Sequence, residues 1–130
     1  MRAAAAGAAY FLVLFLLGFV LGAIRVLVIA PRLGDVAAVL LELPVMLAAS
    51  WLVCCTLIRR MGVAADSTPR LLMGFTGFAL LMLAELALGL FGFGRSPATQ
   101  LAAWTEPAGL IGLAGQIAFG AIPLLQARRR

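Results

Sequence analysis

The chain has 130 residues, of which 65% are hydrophobic and 12% are charged, and its mean hydropathy is +1.14. A water-soluble domain of this length cannot bury so much apolar surface, so the composition excludes an ordinary soluble globular protein. All ten basic residues are Arg, the net charge is +5 and His is absent. The absence of His excludes histidine-ligated metal or haem sites and Ser-His catalysis.

Four long apolar segments predict four membrane-spanning helices, at approximately residues 4–30, 36–58, 71–93 and 107–125. Each approaches or exceeds the roughly 20 apolar residues that a helix needs to cross the hydrocarbon layer. A helix is the expected form because it pairs its own backbone groups in lipid. We therefore predict an all-α, polytopic membrane protein whose residues 1–130 form a single domain, a bundle of four transmembrane helices.

The first segment has some features of a secretory signal peptide. Met1-Arg2 is a short basic start, and Leu21-Gly22-Ala23 is an acceptable cleavage site. However, the apolar stretch is longer than a usual signal core, and hydrophobicity resumes after Arg25. We expect this helix to be retained.

Three stretches between the apolar segments are predicted to be turns, at residues 31–35, 59–70 and 94–106. The last stretch contains Leu101 and Trp104, and it is expected to form a short turn of helix at the membrane interface. Trp104 stands where interfacial aromatic residues are commonly found.

The distribution of Arg predicts the orientation of the bundle. Four spans place both termini and the middle turn on one side, which then carries Arg2, Arg59, Arg60, Arg70, Arg128, Arg129 and Arg130. The opposite side carries Arg32 and Arg95, and Arg25 if it reaches the surface. Positive residues favour the cytoplasmic side, so we predict a bacterial inner-membrane protein with both termini cytoplasmic. Arg59, Arg60, Arg70 and the terminal Arg triplet are expected to anchor at the lipid headgroups.

Four polar residues inside the predicted helices lie at a similar depth. At 1.5 Å per residue, Glu42 is roughly 10 Å from the start of the second helix, and Glu85 is about 12 Å from the end of the third. Gln116 is about 14 Å from the start of the fourth helix, and Arg25 is near the end of the first. With the predicted orientation, all four residues fall in one layer of the outer leaflet. We predict that they meet as a polar cluster inside the bundle.

Glycine residues share the helix faces of this cluster, and small residues mark places where membrane helices pack closely. The predicted packing positions are Gly18, Gly22, Gly89, Gly92, Gly112 and Gly120. Their spacing from the polar residues predicts that the polar side chains point into the bundle rather than toward lipid.

The energetics of the cluster leave its role open. An unpaired ionised side chain costs at least roughly 2.5–3.5 kcal/mol at the bilayer centre. Arg25 can neutralise one carboxylate, so the other must take a proton, bind a cation or pair with Arg32. Pro44 removes the helical donor to the Leu40 carbonyl and predicts a helix break near Glu42. A carboxylate beside a broken helix is typical of ion-binding membrane proteins, whereas buried polar pairs can also simply hold helices in register.

In length and layout the chain resembles small multidrug transporters and fluoride channels, which are also built from four short helices. The multidrug group carries a membrane Glu in its first helix, where this chain has only Arg25. The fluoride channels use a membrane Asn, and this chain contains no Asn. Neither family is therefore predicted.

Two functions fit these features. We predict an accessory or structural inner-membrane component whose polar cluster clamps the helices, acting as a homo-oligomer or within a larger membrane complex. The alternative is a proton- or cation-coupled small transporter or channel subunit that uses Glu42 and Glu85 as a homo-oligomer. An enzyme is not expected, because the sequence shows no nucleophile–base pair, metal-ligand set or phosphate loop. No cofactor, metal or nucleic-acid partner is predicted, and the adjacent Cys54 and Cys55 are interpreted as small buried hydrophobes.

Overall fold

The computed structural model describes residues 2–92, 94 and 96–128. In this part of the chain every regular element is helical, in agreement with the predicted all-α class. The α-helices, in chain order, are α1 Arg2–Ile24, α2 Ala30–Leu33, α3 Asp35–Met61, α4 Ser67–Ala87, α5 Pro97–Ala103 and α6 Pro107–Arg128. Two five-residue π-helical turns, Arg25–Ile29 and Leu88–Gly92, follow α1 and α4 respectively.

Four continuous helical segments are long and apolar enough to cross a membrane, which confirms the predicted number of candidate spans. They are Arg2–Leu33, Asp35–Met61, Ser67–Gly92 and Pro107–Ala127. In the most apolar 18-residue stretch of each, only 6%, 11%, 17% and 17% of the residues are buried inside the chain. A single chain therefore covers little of its own apolar surface, and this indicates a multi-pass membrane protein.

The first two turns between the spans are shorter than the sequence predicts. The first helix continues through α2 to Leu33, and the predicted turn at residues 59–70 shrinks to residues 62–66. Glycines with positive φ mark both breaks, at +89° for Gly34 and +66° for Gly62, a region of backbone conformation that favours glycine. The short helix predicted between the third and fourth spans is α5, and Trp104 directly follows it. Phe93, the predicted end of the third span, lies outside the described residues.

The long helices pack in a ring. Helix α1 lies against α3 and α4, and α6 lies against the same two helices, so α1 and α6 face each other across the bundle. Short turns make successive long helices antiparallel. We call the end with residues 62–66 and the start of α1 the terminal end, and the end with Gly34 and residues 94–106 the loop end.

The core lies in the half of the bundle nearer the terminal end. One face of α1 contributes Tyr10 and Leu14, which are buried with Met73 of α4 and Phe119 of α6. The rings of Tyr10 and Phe119 stack with their centroids 4.1 Å apart. The Tyr10 hydroxyl also donates a 2.7 Å hydrogen bond to the backbone carbonyl of Phe119. Pro123 stands four residues later and has no N–H, so the Tyr10 hydroxyl replaces the missing helical donor.

This contact gives a first prediction. Tyr10→Phe should lower the free energy of unfolding by about 1–2 kcal/mol, because it leaves a buried carbonyl without a donor. In a Pro123→Ala background the restored backbone N–H can bond to the Phe119 carbonyl, and the same change should cost clearly less. Thermal unfolding of the four proteins in detergent measures the coupling. Equal losses in both backgrounds would contradict the assigned role of the hydroxyl.

The closest backbone contacts between the long helices involve glycines in the half of the bundle nearer the terminal end. A Cβ on Gly74 of α4 would overlap the backbone carbonyl of Gly120 in α6, and a Cβ on Gly7 would strike the carbonyl of Met73. Glycine at these points lets two backbones touch directly. Of the predicted packing positions, Gly120 lies at such a contact.

The other predicted packing positions have different surroundings. A Cβ on Gly18 would reach the side chain of Met46 in α3 at 3.4 Å, an ordinary contact. Cβ atoms on Gly22 and Gly92 would meet side chains of their own helical segment, and one on Gly89 would strike the side chain of Gln100. A Cβ on Gly112 would have no atom within 4 Å, so this glycine does not lie at a close contact within the described structure.

Candidate functional site

An ion pair joins the first two spans in the half of the bundle nearer the loop end. Arg25 is the first residue of the π-helical turn after α1, and Glu42 lies in the second turn of α3. The Arg25 Nε donates to Glu42 Oε1 at 2.7 Å, and the two side chains are 31% and 20% exposed. The pair is therefore largely enclosed by protein, and each charge has a partner.

A second polar pair joins the last two spans in the same half. The Gln116 Nε2 of α6 donates a short hydrogen bond to Glu85 Oε1 near the end of α4. The other amide atom, Gln116 Oε1, is buried and has no hydrogen-bond partner among the described residues. The buried Gln100 of α5 donates to the backbone carbonyl of Glu85 at 3.4 Å, so α5 packs over this pair.

The four residues predicted to form one cluster are thus arranged as two pairs, one in each helical hairpin. The two pairs interact electrostatically, because Arg25 and Glu42 are near enough for their charges to act on the Glu85 carboxyl. Arg32, the other candidate counter-ion, is exposed on α2. Pro44 lies two residues after Glu42 inside α3, and the helix continues through it from Asp35 to Met61. The predicted helix break is therefore wrong. The helix is continuous at Pro44, and only the backbone N–H that would donate to the Leu40 carbonyl is missing.

The two π-helical turns lie on the loop-end side of Arg25 and Glu85, and no sequence pattern marks them. In the first, the Ala30 N–H donates to the Arg25 carbonyl five residues back, so one extra residue is inserted into the helical turn. The second begins three residues after Glu85. Such turns shift the direction of every later side chain in the helix. The nearest sequence signal is Pro31, which follows the first turn.

A further buried polar residue, Arg70, was not part of the predicted cluster. The sequence places it at the lipid headgroups, but it is only 4% exposed. Its Nε donates to the Ala64 carbonyl at 3.0 Å and its Nη1 to the Pro123 carbonyl at 3.3 Å. The headgroup expectation is wrong for this residue: its guanidinium ties the 62–66 turn to the end of α6.

The other basic residues at the terminal end have more open surroundings. Arg59 and Arg60, in the last turn of α3, are exposed and line a cleft of about 460 Å³ together with Thr56. This geometry leaves both guanidinium groups accessible. Arg128 is the last residue of α6, and Arg129 and Arg130 lie outside the described residues.

In the part of the chain that the structure describes, no three His, Cys, Asp or Glu side chains are grouped as metal ligands. Cys54 is buried and Cys55 is half-buried, and both are free thiols. The polar groups that the structure brings together form one ion pair and one carboxyl–amide hydrogen bond.

No protein-family model matches the chain, and no curated protein and no solved structure matches it.

Proposed function

We propose that the chain is an integral protein of the bacterial inner membrane that acts as an accessory or structural component. The observation that carries this proposal is the pairing of polar groups within each hairpin, Arg25 with Glu42 and Gln116 with Glu85. In an apolar environment, separating such partners is costly, so each pair holds two helices in a fixed register. The proposed role is that of a clamp, and it involves no catalysis.

The low burial of the apolar spans supports an assembly role. The first span is the most apolar of the four, and only 6% of its most apolar 18-residue stretch is buried inside the chain. Its outer surface must contact lipid or other transmembrane helices. We propose the lipid bilayer as its direct environment and a second copy of the chain, or a larger membrane complex, as its partner.

We propose that both termini are cytoplasmic, which the excess of Arg at the terminal end supports. Single cysteines at Ala64 and Ala98, both exposed and at opposite ends of the bundle, test this orientation in a background with Cys54 and Cys55 replaced by Ala. A membrane-impermeant thiol reagent should label Ala98→Cys in intact cells and Ala64→Cys only after permeabilisation. The reverse pattern would invert the orientation.

Transport of a proton or cation is the second candidate function. It is favoured by the presence of two carboxyl groups in one layer, with the charge of Glu42 acting on Glu85. Purified protein in liposomes separates the two functions. A clamp gives no proton or cation flux above that of protein-free liposomes. Flux that Glu85→Gln or Glu42→Gln abolishes, in a variant that remains folded, would replace the clamp with a transporter.

A further inference from the structure

The Glu85–Gln116 pair has an unmatched acceptor. An amide offers one oxygen acceptor and two N–H donors, and an ionised carboxylate offers acceptors only. Gln116 Nε2 already donates to Glu85 Oε1, yet Gln116 Oε1 is buried without a donor. Rotating the amide by 180° would place its oxygen against the carboxylate oxygen, and two acceptors cannot form a hydrogen bond. While Glu85 is ionised, neither orientation of the amide gives both Gln116 Oε1 and Gln116 Nε2 a hydrogen-bond partner within the pair.

Among the described residues no basic side chain forms an ion pair with Glu85. The charged groups near it are Arg25 from the turn after α1 and Glu42 from α3, while α6 contributes the neutral Gln116. The Arg25 guanidinium is bonded to Glu42 rather than to Glu85. An ionised Glu85 would be an excess negative charge in a mostly apolar layer, which is costly.

We propose that Glu85 and Gln116 form a proton-binding site, in which a protonated Glu85 carboxyl and the Gln116 amide share two reciprocal hydrogen bonds. The proton comes from water and converts the carboxylate, of charge −1, into a neutral acid. The acid O–H donates to Gln116 Oε1, while Gln116 Nε2 donates to the other carboxyl oxygen. One proton thus satisfies the buried acceptor and removes the excess charge. This proposal rests on the proposed clamp and assigns a protonation state to Glu85 in the second of its two pairs.

Infrared spectroscopy of the full chain in phospholipid vesicles at pH 7 tests the site. A protonated carboxyl has a C=O stretching band that is distinct from the carboxylate bands. We expect wild-type protein to show this band, Glu85→Gln to lose it, and the exposed control Glu106→Gln to retain it. Gln116→Leu should keep the band and move it to higher frequency, because the acid loses its amide partner. This second variant keeps the test decisive if Glu85→Gln does not fold.

The outcomes for the proton site and for the clamp are separable. Absence of the band from wild-type protein, or its persistence in Glu85→Gln, overturns the proton site. The clamp is measured independently, by the thermal stability of Glu85→Ala, which removes the hydrogen bonds altogether. If Glu85→Ala is destabilised and wild-type protein shows no acid band, the clamp stands and the proton site is overturned. A stable Glu85→Ala with the band present in wild type would do the opposite.

Discussion

Glu42→Gln is expected to lower the free energy of unfolding by about 2–3 kcal/mol. This is the largest effect expected from a polar substitution among Arg25, Glu42, Glu85 and Gln116. The substitution removes the negative charge that Arg25 contacts at 2.7 Å and leaves a guanidinium ion in a largely apolar setting. Gln can still accept a hydrogen bond from Arg25, so the loss of stability comes mainly from the unpaired charge of Arg25. Thermal or denaturant unfolding in mild detergent measures it.

The double variant Arg25→Met, Glu42→Met is the matched test of this reasoning. Replacing both members of a buried ion pair with apolar residues of similar size is often nearly neutral, so stability should return to within about 1 kcal/mol of wild type. Glu106→Gln, an exposed carboxylate at the same end of the bundle, controls for loss of charge alone. If Glu42→Gln were as stable as Glu106→Gln, the ion pair would have no clamping role.

Gly74→Ala should cost about 2 kcal/mol or more, because the added methyl group falls on the backbone carbonyl of Gly120. A backbone atom cannot move aside as a flexible side chain can, so α4 and α6 must separate along their contact. The Pro123 ring, 3.7 Å from the same methyl position, blocks a sideways shift. Unfolding in detergent gives the loss of stability, and crosslinking between α4 and α6 reports their separation.

Gly112→Ala is the matched control on α6, since its methyl group would meet no atom within 4 Å. Alanine is favoured over glycine inside a helix by roughly 0.5–1 kcal/mol, so this variant should be neutral or slightly more stable. Equal destabilisation by both substitutions would mean that helix flexibility, rather than the Gly74–Gly120 contact, determines the effect.

The number of helices and the depth of the polar residues could be predicted because both follow from position along the chain. Apolar runs of about 20 residues define spans, and a rise of 1.5 Å per residue gives depth. Depth alone brings Arg25, Glu42, Glu85 and Gln116 into one layer. It does not give their direction around each helix, and that direction decides the division into an Arg25–Glu42 pair and a Glu85–Gln116 pair.

The features that escaped prediction depend on local geometry or on distant partners. A π-helical turn inserts one residue without a distinctive sequence, so the directions of the side chains after Arg25 could not be calculated from an ideal helix. Arg70 was assigned to the membrane surface because Arg at a span end usually lies there, whereas its actual partners are backbone carbonyls of other segments. The role of Tyr10 depends on Pro123, more than a hundred residues away.

This last contact has a consequence for biogenesis. The Tyr10 hydroxyl and the Phe119 carbonyl are 109 positions apart, so their hydrogen bond can form only after the ribosome has synthesised the chain through Phe119. Until α6 docks, the Tyr10 face of α1 has neither its stacked ring nor its carbonyl acceptor. A nascent chain stopped before α6 would keep this face unfilled.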